Sequence, residues 1–305
     1  MFAREESGYG SAESNQTESI SAPKPNHLRI LADALRLENE FEVSELLMNS
    51  ANGVIYQGYN LKSGEQIIFK QLPRKNVPNW VEFENAIVPS EIAYHFKTYE
   101  SCPEARDSIC RPIVWLEKKS SFILVLEKLG GRHCVDLFEL SKKLGAIKED
   151  AVKIIFGQLL KIWETLNHAK VCHRDLKDEN IIINPETLEC RLIDFGCATK
   201  LSPDPQKTFA GTPEFFPPEW FRTGSYNHKP VTSWSIGVIL FILLTGIMPS
   251  QLVENFVDFD LSRDADYILV QLSQGARNLL MNLLQASPEK RADLKTAKLL
   301  YQLWK

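Results

Sequence analysis

"HRDLKDEN", residues 173–180, and "DFG", residues 194–196, decide how this chain is to be read. The first follows a long helical pattern and the second follows the strand-like "CRLI", so both belong to loops that leave regular elements. Asn180 and Asp194 carry hard oxygen atoms, the donor type that suits hard divalent cations, and Asp175 adds a carboxylate able to orient a hydroxyl and accept its proton. A buried aspartate that merely caps a loop would account for one of them. It does not account for three, set in two loops.

Working upstream, "EDAVKIIFGQLLKIWETLNHA", residues 149–169, carries Val152, Ile155, Leu159, Ile162, Trp163 and Leu166 on one stripe and predicts an amphipathic helix. Before Gly130 and Gly131 the texture is different. "FEVSELL", "GVIYQGY" and "EQIIFKQL" are short runs of β-formers separated by turns, and "ICRPIVWLE" and "SFILVLE" flank the charged turn "KKS". "FENAIVPSEIAYHFKTY" becomes helical after its proline. These patterns predict a five-stranded antiparallel sheet with one main helix, followed by a mostly helical half. The fold class is therefore α+β with two lobes.

Downstream, "VTSWSIGVILFILLTG", residues 231–246, has an apolar part too short to cross a bilayer and begins with Ser/Thr in the manner of a helix cap. It predicts a buried core helix. At the other end, residues up to about Asn26 are rich in Ser, Glu, Gln and Asn with few apolar anchors, which predicts a flexible tail. "HLRILADALRLENE" has the spacing of a short amphipathic helix. The divisions are then 1–38 for the tail with its short helix, 39–129 for the small lobe and 130–305 for the large one.

The bulk properties exclude several classes of function. With 305 residues, 44% of them hydrophobic, the chain can bury a large core. A formal charge of -4 leaves no surplus of Lys or Arg for a phosphate backbone, so no nucleic-acid partner is expected. The first residues lack an apolar stretch after a basic start, which predicts a chain that stays inside the cell, in cytoplasm or nucleus, with no membrane partner. Six cysteines are scattered without a C-x-x-C pair, so reduced packing thiols are expected.

The two loops match H-R-D-L-x-x-x-N and D-F-G, and from about Glu40 to Lys305 the chain resembles eukaryotic protein kinases. That resemblance implies the bilobal protein-kinase fold, ATP and Mg²⁺ as cofactors, and protein substrates. It implies that Asp175 orients the substrate hydroxyl and that Asn180 and Asp194 hold the metal. Lys70, at the end of the third strand, stands where the family has V-A-I-K, with Glu91 as its ion-pair partner. Lys177 and Thr212 are the residues that contact the catalytic aspartate in Ser/Thr kinases, which implies a Ser or Thr acceptor. In "AGTPEFFPPEW", Glu219 is the family's partner for a distant arginine, here Arg291.

Within that family "VPSEI", "DLFEL", "HRDLKDENIII", "LIDFG", "FFPPEW" and "TSWSIGVIL" resemble the Pim kinases. Those kinases also lack the aspartate that most relatives carry at Thr232. Asp136 and Glu179 match carboxylates that face basic side chains upstream of the acceptor. "KTFAGTPEF" resembles the activation segment of AGC kinases and places Thr208 as a regulatory phosphosite near Arg174. The hinge "LEKL", Leu126 to Leu129, is to receive adenine through main-chain groups, with Leu126 as gatekeeper, Glu127 beside it, and Leu129 keeping an N–H that a proline would lack. Cys197 reads as an inert packing residue.

One stretch departs from the family. "LLMNSANGVIYQG", residues 46–58, lies where a glycine-rich phosphate loop belongs, yet the three glycine positions hold Met48, Ser50 and Gly53. Leu47, Ser50, Gly53 and Ile55 are the nucleotide contacts expected here. The loss of two glycines supports a rival reading, a pseudokinase that keeps the fold as a binding or scaffolding module without turnover; the kinase reading itself expects a monomer. Retention of Lys70, Glu91, Asp175, Asn180 and Asp194 favours the enzyme.

Overall fold

The computed structural model describes residues 40–50, 53–130, 134–208, 210–253 and 259–305. The expected N-terminal tail and its short helix lie outside the described residues.

The small lobe is built on one antiparallel sheet. Strands β1 (Phe41–Ser50), β2 (Gly53–Asn60) and β3 (Gln66–Pro73) form a meander, and β6 (Pro112–Glu117) and β7 (Ser121–Glu127) complete it in the order β1-β2-β3-β7-β6. Alternation decides which face each residue takes. On β3, Ile67 and Phe69 are fully buried in the outer core with Tyr56 and Val125, while Ile68 and Lys70 point to the opposite face, toward the large lobe. β7, between β3 and β6, has both faces covered and is buried from Ser121 to Leu126.

A second small sheet was not expected from the sequence. β4 (Trp80–Phe83) and β5 (Ala86–Pro89) form a hairpin whose tip, Glu84 and Asn85, turns with φ of 48° and 63°. Helix α1 (Ser90–Tyr99) starts directly after it, with Pro89 as its N-cap residue.

In the large lobe β8 (Val135–Asp136) leads into α2 (Leu137–Leu144), where Asp136 caps the helix by accepting the Glu139 N–H at 2.7 Å. Helix α3 runs from Glu149 to Ala169, the bounds that its apolar stripe predicts. β9 (Val171–Cys172) ends before His173, and β10 (Ile181–Ile183) pairs with β11 (Cys190–Leu192) across the loop pair that carries Asp175 and Asp194. After the short α4 (Pro218–Thr223), helix α5 (His228–Thr245) runs through the core, packed against α3 and against α8 (Gln274–Leu283). Between α5 and α8 lie the short helices α6 (Leu261–Asp264) and α7 (Asp266–Leu269), and α9 (Leu294–Leu303) follows.

Phe156, Trp163, Trp234, Phe241 and Leu280 belong to this core, and each such side chain stabilises the fold by about 1.5–3 kcal/mol through burial. The apolar run is thus a buried helix, as expected, but its Ser/Thr residues are not the cap. The helix begins at His228, and Thr232 and Ser235 return their hydroxyls to the His228 and Val231 carbonyls inside it. All six cysteines are free thiols.

Candidate active site

A cleft of about 810 Å³ separates the lobes. Leu47, Met48, Ile55, Ile68 and Lys70 line it from the sheet, Leu126 to Leu129 from the hinge, and Ile193 and Asp194 from below. It opens into a second cavity of about 580 Å³, bounded by Lys177, Glu179, Asn180 and α2.

At the inner end, the Lys70 ammonium lies 2.6 Å from Glu91 Oε1 and 2.7 Å from Asp194 Oδ1. Burial acts to lower the Lys70 pKa, but the two carboxylates outweigh it and raise it above the ordinary lysine value. For Asp194, burial acts to raise the pKa, yet the Lys70 charge and hydrogen bonds from Lys70 and the Gly196 N–H hold it at about 2. Asp194 also takes a left-handed backbone, φ 57°. Three sequence-predicted residues on three different elements are therefore brought into one charged cluster.

Asp175 anchors the second cluster. Thr212 donates both its N–H, at 2.8 Å, and its hydroxyl, at 2.7 Å, to Asp175 Oδ1, while Asn180 Nδ2 donates to Oδ2 at 3.1 Å and to the Asp175 carbonyl at 2.8 Å. The Lys177 ammonium is 4.0 Å from Asp175 and pairs more closely with Glu179. Gly211 makes this approach feasible. Its φ is +105°, and a Cβ there would meet the Arg174 carbonyl oxygen at 2.4 Å.

The hinge presents the polar edge that the sequence suggested. The Lys128 N–H is taken by the Gln66 carbonyl and the Glu127 N–H by the Arg111 carbonyl, whereas the Leu129 N–H makes no hydrogen bond among the described residues.

The hairpin opposite is less like a phosphate loop. β1 and β2 stay paired up to Ser50 and Gly53, and the Ser50 hydroxyl donates to the Gly53 carbonyl at 3.0 Å. Leu47, Met48 and Ile55 line the cleft, while Ser50 and Gly53 do not. Gly53 answers to packing: with φ +156°, a Cβ would meet the Gln71 carbonyl oxygen at 2.6 Å. Its nearest neighbour is thus β3.

The remaining residues fall as follows. Arg174 donates to the Cys197 carbonyl at 2.6 Å and bonds the Tyr226 side chain, whose hydroxyl reaches the exposed Thr208 carbonyl at 3.5 Å. Burial pushes the Cys197 thiol up to about 11, in keeping with an inert group. Glu219 and Arg291 form a buried two-pronged pair, 2.8 Å at each contact, with the guanidinium over Trp234. Two residues were missed. Tyr226 joins Arg174 to the Thr208 segment, and nothing in the sequence marks it. His95 lies four residues after Glu91, on the same helix face, and that spacing was a usable signal. It stacks on Phe195 at 4.6 Å and its Nε2 lies 2.7 Å from the Cys110 carbonyl, so the N–H of that nitrogen donates there.

A lysine–glutamate pair at the back of an interlobe cleft, with the two loops below it, defines a protein kinase, and the protein kinase domain model matches residues 41–304. The chain belongs to that family. Among curated proteins it is similar to serine/threonine-protein kinase pim-2 of Danio rerio, 28% identical, with 84% of this chain and 82% of the relative covered. It is also similar to serine/threonine-protein kinase prk-2 of Caenorhabditis elegans, 29% identical over 85% of this chain but only 57% of the relative. A serine/threonine-protein kinase of African swine fever virus is 28% identical over 76% of this chain.

Proposed function

We propose that this chain is a catalytically competent kinase that uses Mg²⁺ and ATP to phosphorylate Ser or Thr in protein substrates with a basic residue upstream of the acceptor. The observation that carries the proposal is the Lys70 ammonium held between Glu91 and Asp194, at 2.6 and 2.7 Å.

Phosphoryl transfer demands positioned positive charge and a positioned nucleophile more than covalent help from the protein. Lys70, kept charged by its two carboxylates, is placed to meet phosphate oxygens. Asp175 is held by Thr212 and Asn180 so that its carboxylate can orient a hydroxyl and accept its proton. Leu129 has a donor, and Glu127 a carbonyl, for the adenine edge.

Asp194 and Asn180 fit a magnesium ion. Both line the second cavity, Asp194 stays ionised, and the bonds drawn from Asn180 use its amide nitrogen, leaving its oxygen. Among the described residues no three His, Cys, Asp or Glu side chains converge to hold a metal, so the ion would depend on phosphate oxygens for the rest of its shell. When bound, it would neutralise charge on the transferring phosphoryl group.

Asp136 and Glu179, which line both cavities, are the proposed seats for the upstream basic residue. Monomeric action within the cytoplasm or nucleus belongs to the same proposal. A scaffold is the second reading, favoured by the glycine-poor hairpin that keeps its strand pairing to Ser50. Labelled ATP, Mg²⁺ and a degenerate peptide library decide between the two. Label transfer by the wild type and none by Asp194→Asn supports the kinase. No transfer by either supports the scaffold.

A further inference from the structure

The second cavity does not end at the acidic residues Asp136 and Glu179. Its wall continues along α2 through Phe138 and Glu139 to Lys142 and Lys143. Charge therefore changes sign along one groove, acidic near the reacting centre and basic at the far end.

Asp136 is the cap residue of α2 and Lys143 lies seven positions on, two turns along the same face, with Lys142 beside it. At about 1.5 Å per residue the lysines are roughly 9–11 Å beyond Asp136, which corresponds to about three residues of extended peptide. The two lysines are exposed, and neither makes an ion pair among the described residues. Lys142 is nonetheless directed, since its ammonium lies 5.7 Å from the centre of the exposed Phe138 ring on the same wall. Glu139, three and four positions before them, is a competing carboxylate on this wall. Lysines also favour the last turn of any helix, but that role would not touch peptide selection.

We propose that Lys142 and Lys143 form a specificity subsite for an acidic side chain, Asp or Glu, about three residues N-terminal to the basic residue seated by Asp136 and Glu179. The substrate class is a peptide of mixed charge, acidic, then basic, then Ser/Thr. This rests on the kinase reading, and on its placement of the basic residue at Asp136 and Glu179.

The test uses three peptides that share one serine and one arginine three residues before it and differ only three residues before that arginine, with Asp, Ala or Lys there. Each is assayed for kcat/KM, and each is titrated as a fluorescent ligand by anisotropy, with wild type and with Lys142→Glu/Lys143→Glu. The wild type should prefer the Asp peptide over the Lys peptide by roughly three- to tenfold at low salt, less at high salt, and the charge-reversed variant should invert the order. An Asp-to-Lys ratio that is the same in wild type and variant overturns the subsite. Charge-dependent binding without phosphorylation would leave the subsite standing and remove the catalytic reading. Phosphorylation blind to the upstream charge would do the reverse.

Discussion

Thr212 places both its N–H and its hydroxyl on a single oxygen of Asp175, at 2.8 and 2.7 Å. The two loops that carry Thr212 and Asp175 are thereby fastened at one carboxylate oxygen. Thr212→Val keeps the N–H and the shape but removes the hydroxyl. A hydrogen bond to a charged group contributes about 1.5–3 kcal/mol, so kcat should fall roughly tenfold or more while KM for ATP stays near wild type. Steady-state kinetics at saturating peptide check this.

Asp178 gives a pH prediction. Burial first, then the neighbouring charges of Glu179 and Asp136, push its carboxyl up to about 6, against an ordinary value near 4. Between those values the folded chain binds the proton that the unfolded chain has released. Stability from this group therefore falls as pH rises through the window and stays reduced above it. Asp178→Asn should raise stability at pH 8 by about 2 kcal/mol and change little at pH 3.5. Denaturant midpoints at the two pH values measure the difference.

The hairpin at Ser50 and Gly53 yields a pair of opposed outcomes. Met48 lines the cleft, so Met48→Gly should let the backbone approach phosphates there and lower KM for ATP by about three- to tenfold, opposed by roughly 0.5–1 kcal/mol of added flexibility. Gly53→Ala should lower thermal stability, because its Cβ has the Gln71 carbonyl in its place. ATP titration and a melting curve of each variant read both effects.

A phosphate on Thr208 would add about two negative charges one tyrosine away from Arg174. Mass spectrometry of active protein should find Thr208 modified. Thr208→Ala should lower peptide phosphorylation by roughly three- to tenfold, corresponding to the loss of one or two charge-assisted bonds. Equal activity of variant and wild type counts against a switch at this position.

The Cys197 thiol, pushed up to about 11, should resist alkylation at pH 7.5. Peptide mapping after a short iodoacetamide pulse should find it labelled far less than an exposed model thiol, with labelling rising only in strong alkali.

The residues legible in the sequence were those with a local signature. The stripe from Val152 to Leu166 marked α3, and strand alternation aimed Lys70 into the cleft. Three features needed the fold. The β4–β5 hairpin carries Trp80 and Ile87 outward and turns through Glu84 and Asn85 without a glycine, so its pattern was read as a lead-in to α1. The start of α5 at His228 was hidden because Thr232 and Ser235 bond within the helix instead of capping it. The packing of Gly53 against the carbonyl of Gln71 comes from another strand, which its own stretch of sequence does not record. Tyr226 joins residues distant in sequence, and no local pattern records such a contact.

The β4–β5 hairpin bears on how this kinase can be switched. α1 leaves it already tethered: the Ser90 N–H bonds the Asn79 carbonyl at 3.0 Å, Val88 is buried beside Ile92, and Phe83 packs on Phe96 at 5.9 Å. Swinging α1 outward to part Glu91 from Lys70 would mean peeling this hairpin off the lobe as well. The ion pair is then braced by two elements of the small lobe at once, and helix and hairpin would have to move together for it to open.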